Sequence, residues 1–78
     1  MLVVDDEAQV RASFATLLEG DGYKVLQASN GREAQARCRE TPVDVAIIDI
    51  VVPEQEEGLE TVQNIRRDWP QTGLIAIS

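Results

Sequence analysis

The chain has 78 residues, enough for one small domain with a modest core, and its 14 acids against 7 bases leave a net charge of −7. That balance repels nucleic acid and anionic lipid, and favours divalent cations or basic partners. With no histidine and a single cysteine, Cys38, the chain can build neither a histidine-based catalytic site nor an intramolecular disulfide or cysteine-based zinc site.

Residues 2–5 (LVVD) read as a short buried strand. Over residues 7–20, Val10, Phe14, Leu17 and Leu18 fall on one face of a helix. Gly20 and Gly22 end it, since glycine tolerates the positive φ of a helix terminus. Residues 23–28 (YKVLQA) form a second strand, and Ser29 or Asn30 caps a helix over 31–40 whose Ala34 and Cys38 face inward. Pro42 breaks that helix. Cys38 reads as a small core residue rather than a reactive thiol.

The third strand spans 43–49 (VDVAIID). Asp44 near its start is solvated, and Val45 to Ile48 are apolar at every position. A strand apolar on both faces belongs inside a parallel sheet covered by helices. The stretch IVVPEQEEG reads as a loop with solvated acids at 54–57. A third helix covers 58–69 with Leu59, Val62, Ile65 and Trp69 inward, and Pro70 stops it. Residues 73–78 (GLIAIS) are a fourth strand. Strands alternating with helices predict an α/β fold with a parallel sheet. No apolar run approaches the ~18 residues of a membrane span, and no basic region opens the chain as in a signal peptide. The expected location is cytoplasmic.

Every strand of a parallel sheet ends at the same edge. If right-handed crossovers carry the chain outward from strand one to strand two and then back to strand three, strands one and three are neighbours ~4.8 Å apart. Asp5 and Asp6 end strand one and Asp49 ends strand three, so all three carboxylates are expected at the crevice where open α/β sheets bind ligands. Crowded like charges raise one another's pKa. A hard divalent cation such as magnesium, which takes oxygen ligands, relieves them. The competing reading of Asp6 or Glu7 alone is a cap for the following helix.

Four stretches in order, LVVDDE, VDVAIIDIVVP, EGLETVQNIR and LIAIS, resemble the receiver domain of two-component response regulators. The resemblance implies a flavodoxin-like three-layer α/β/α fold with strand order 2-1-3-4. It implies a Mg2+-dependent phosphoacceptor that switches conformation and acts on itself rather than as an enzyme on a metabolite. Asp49 falls on the aspartate that takes a phosphoryl group from a histidine kinase. Asp6, Asp49 and the backbone carbonyl of Val51 fall on the metal ligands, and Asp5 on the acid that reaches the metal through water. Ser78 falls on the hydroxyl that turns toward the phosphoryl oxygen. Pro53 and Gly58 fall on the proline and glycine of the loop after strand three, which is one residue longer here than is usual in the family.

The family has five strands, with a phosphoryl-pairing lysine after the fifth. Residues 1–78 therefore correspond to an incomplete receiver, its N-terminal two thirds. Two consequences are expected: self-association through an exposed fourth strand, and, as the alternative function, a receiver-like interaction module that no longer phosphorylates. An aspartate-nucleophile phosphatase is disfavoured, because Val51 stands where such enzymes place a second Asp.

Overall fold

The computed structural model describes residues 1–49 and 55–77. Their chain order is β1 (Leu2–Val4), α1 (Ala8–Gly20), β2 (Leu26–Ala28), α2 (Gly31–Glu40), β3 (Val45–Asp49), α3 (Gln55–Asp68) and β4 (Gly73–Ile77). The four strands form one parallel sheet in the order β2-β1-β3-β4. This is the flavodoxin-like arrangement that the family resemblance implies: the chain winds outward from β1 to β2 and then back past β1 to β3, all strands staying parallel.

Strand alternation divides the side chains between two layers. Leu2, Val4, Ala46 and Ile48 pack with Ala34 and Cys38 of α2 and Ile65 of α3 in the main core. Val3 and Ile47 are also buried; they alternate to the opposite face, where α1 lies against β1 and β2. Burial raises the pKa of the Cys38 thiol, as suits a core residue. Trp69, just past the end of α3, packs against the same core.

Three inward assignments from periodicity are corrected. Leu17 is 67% exposed, Leu59 is 53% exposed and Val10 is 37% exposed. Ala15 and Thr61 are buried in their stead. The substitution follows from close approach of backbones. Ala15 lets α1 sit down on the sheet. Thr61 meets α2 at Gly31, where an added Cβ would run into the Thr61 hydroxyl and lie 3.3 Å from its Cβ. Hydrophobicity sets a stripe, but side-chain size sets which side of the stripe the neighbour occupies.

The ends of the elements are chemically marked. Gly22, at φ 95°, closes α1. The Asn30 side chain accepts the Glu33 N–H at 2.9 Å, and the Glu33 carboxylate reaches back to the Ser29 N–H and hydroxyl, both at 2.7 Å. This reciprocal arrangement resembles a capping box. Three strands are shorter than expected, with Asp5 outside β1, Tyr23 to Val25 outside β2 and Val43 and Asp44 outside β3. Asp44 is exposed as expected, and its carbonyl accepts the Gly73 N–H at 2.7 Å to start β4. The helix α3 begins at Gln55, so part of the expected loop, including Gly58, is helical.

Candidate functional site at the carboxyl edge of the sheet

The register explains which acids meet. Val4 pairs with Ile48, so one step further along two parallel strands sets Asp5 beside Asp49. Asp5 is only 4% exposed. Its N–H donates to the Ala28 carbonyl at 3.1 Å, which extends the β1–β2 pairing by one residue. Its Oδ1 accepts the Glu7 N–H at 2.8 Å, ahead of α1. Neither Asp6 nor Glu7 supplies a side-chain cap; Glu7 occupies the N-cap position without one.

The Asp5 carboxyl is held above the usual carboxylate range. Burial is the largest cause. The Glu7 N–H opposes it, and the charges of Asp49 and Asp6, together with a hydrogen-bond contact to the Asp49 side chain, add to it. Asp5 and Asp49 thus form a close pair, while Asp6 is exposed and acts on Asp5 from the solvent side. Among the described residues no three acidic, histidine or cysteine side chains are arranged as a metal cluster. The expected convergence of three carboxylates is, in this geometry, a pair with a third nearby. Val51, Pro53 and Ser78 lie outside the described residues.

Periodicity did not single out Arg11. Its Nη1 donates to the Asp5 carbonyl at 2.6 Å and its Nε to Gln27 Oε1 at 3.3 Å. The available signal was a basic residue in the first turn of the helix that follows an acidic stretch.

A model of the response regulator receiver domain matches residues 1–78. The chain belongs to the response regulator receiver family. The receiver domain is 33% identical to the chemotaxis protein CheY of Thermotoga maritima over 79 residues, covering 100% of this chain and 65% of that protein. It is 38% identical to the transcriptional regulatory protein ResD of Bacillus subtilis over 66 residues, 85% of this chain and 27% of ResD. The chain therefore spans less than two thirds of either relative. Among solved structures, Vibrio cholerae CheY4 matches with a TM-score of 0.86 at 32% identity, over 96% of this chain and 63% of that one. The Thermotoga maritima response regulator TrrA, solved in complex with Mg2+ and BeF, matches with a TM-score of 0.85 at 35% identity, over 96% and 64%. Receiver domains are signalling domains, not metabolic enzymes. No helix among the described residues is long and apolar enough to cross a membrane.

The raised Asp5 pKa has a measurable consequence. The folded state binds this proton more tightly than the unfolded chain, whose value lies near 3.8. Stability contributed by Asp5 is therefore lost as pH rises from that value through the raised folded value, and regained on acidification. Asp5→Asn keeps an oxygen acceptor for the Glu7 N–H but carries no charge. In metal-free buffer at neutral pH this variant should be more stable than the wild type, and the gap should close as pH falls toward 4. Glu33, held below its usual range by the Ser29 N–H and hydroxyl, loses stability in the opposite sense, but equally in both proteins. Urea melts across that range are the check; a gap independent of pH would mean that Asp5 is not strained.

Proposed function

We propose that this receiver segment is a phosphoacceptor of two-component signalling, with Asp49 taking a phosphoryl group from a histidine kinase in a Mg2+-dependent reaction. The observation that carries the reading is the buried Asp5 held against Asp49 at the common edge of β1 and β3. Two crowded carboxylates with a third acid nearby form the hard-oxygen donor set that magnesium accepts. Asp6, Asp49 and the Val51 carbonyl would hold the ion, with Asp5 reaching it through water. When bound, the ion supplies charge neutralisation and orientation of the phosphoryl oxygens.

The acceptor step belongs to Asp49. One carboxylate oxygen attacks phosphorus in line. The bond from phosphorus to the donor nitrogen breaks, its electron pair stays on the imidazole, and an acyl phosphate remains on the protein. The Ser78 hydroxyl would donate to a phosphoryl oxygen. The added charge then biases a two-state surface that a partner reads. The expected setting is cytoplasmic, without direct nucleic-acid or membrane contact by this segment, whose charge is −7.

Incubation with acetyl phosphate and Mg2+, borohydride trapping and peptide mass spectrometry test the reading. A label on Asp49 is expected. A label on Ser78 or Asp5 with Asp49 untouched would overturn it.

We also propose self-association through β4. It is an edge of the described sheet, its sequence GLIAI carries no charge or proline, and Ile75 is 50% exposed. Uncharged flat edges of this kind template pairing with another chain. Light scattering should show species larger than 8.6 kDa, shifting toward monomer in Ile75→Lys. A monodisperse wild-type monomer would remove the idea.

A further inference from the structure

We infer that Arg11 is a positioning residue for the carboxylate site, holding the Asp5 backbone so that Asp5 and Asp6 are presented to a divalent cation. The inference rests on the reading of that site as magnesium-binding.

Asp5 stands one residue beyond β1, where its carbonyl has left the strand ladder. A buried carbonyl in that position requires a donor. Arg11 supplies it through Nη1 at 2.6 Å, a short charge-assisted bond. The same guanidinium donates through Nε to Gln27 of β2 at 3.3 Å, so it ties the end of β1 to the neighbouring strand. The fork geometry of arginine makes both bonds at once, which a lysine ammonium cannot reproduce. The Asp5 carbonyl and the Asp6 N–H belong to one planar peptide unit. Fixing that plane sets the direction in which Asp6 leaves the strand. The Asp5 side chain is independently held by the Glu7 N–H, and the Arg11 N–H bonds back to the Glu7 carbonyl at 3.0 Å. Asp5, Glu7 and Arg11 thus form one closed unit at the mouth of the site.

Arg11 lies at the start of α1, where the positive end of the helix dipole disfavours a cation, while the acids at 5–7 just before the helix and Glu33, whose carboxyl its charge helps to hold down, favour one. Charge therefore permits a guanidinium here, and its two bonds toward β1 and β2 fix where it sits. A guanidinium acting only through its charge would repel Mg2+, so its removal would tighten metal binding. A positioning role predicts the reverse, because groups that orient metal-site residues typically govern affinity by 10–100-fold.

The test is a calorimetric Mg2+ titration of the wild type, Arg11→Gln and Arg11→Lys, paired with amide hydrogen exchange in metal-free buffer. Arg11→Gln should weaken Mg2+ binding about tenfold. Arg11→Lys, which keeps the charge and one donor, should lie between it and the wild type, and it covers the case in which Arg11→Gln does not fold. The Glu7 amide should exchange faster in Arg11→Gln while the Gly73 amide, bonded to the Asp44 carbonyl at the far edge of the sheet, keeps its protection. Mg2+ affinity that is equal or higher in Arg11→Gln overturns the role of Arg11. A wild-type chain that takes up no Mg2+ overturns the magnesium reading itself, and this inference with it.

Discussion

Asp49→Asn should abolish phosphoryl uptake and at the same time make the fold more stable. The two effects have one origin. Asp49 lies at the end of β3 with its charge and side chain against the buried Asp5 carboxyl. An amide is no nucleophile toward phosphorus under these conditions, so labelling by acetyl phosphate should drop to background. The same amide removes a like charge from beside Asp5 and can donate a hydrogen bond to it, so the metal-free fold should gain stability at neutral pH. The opposite signs separate this outcome from simple unfolding, which would lower both. Trapping with borohydride measures the first effect and a urea melt the second. Residual labelling at another residue, or a loss of stability, would contradict the assignment.

The largest stability loss is expected from Ile65→Ala. Ile65 is 0% exposed and packs in the core with Leu2, Val4, Ala34, Cys38 and Ile48, joining α3 to α2 and the sheet. Removing a buried isoleucine side chain to Ala costs about 2–5 kcal/mol, through lost transfer energy and the cavity left behind. Whole domains are stable by only about 5–15 kcal/mol, and a chain of this size buries proportionally less surface than a larger one. With a urea dependence of about 1 kcal/mol per molar, the midpoint should fall by at least about 2 M, or the chain should be unfolded at the outset. Ile65→Val, costing about 0.5–1.5 kcal/mol, should remain folded with a smaller shift. Equal midpoints for the two variants would show that Ile65 is not central to the core.

Much of the architecture is legible in the sequence because it depends on local rules. The continuous apolar run from Val45 to Ile48 identifies a two-sided buried strand. Asn30 before α2, Gly22 after α1 and Pro42 after α2 mark ends through backbone chemistry that a short window contains. The helix over 31–40 lies where its cap and its Ala34–Cys38 spacing indicate. The membership of the receiver family is legible for a different reason: four short motifs fall in a fixed order.

Other features depend on which surfaces meet. Leu17 and Leu59 satisfy the helical period yet are exposed, while Ala15 and Thr61 are buried, because close backbone approach selects small side chains that hydropathy ranks low. The start of α3 at Gln55 was hidden by its acids, which read as a solvated loop.

By itself the sequence determined the alternation of strands and helices, the apolar core strands and the acids at the ends of β1 and β3, since each follows from the character of adjacent residues. Only the tertiary structure decided that Asp5 and Asp49 form the close pair while Asp6 is exposed, and that Arg11 holds the Asp5 carbonyl. Those relations arise from the β1–β3 register and from packing of α1 on the sheet, contacts between residues that the linear chain keeps apart.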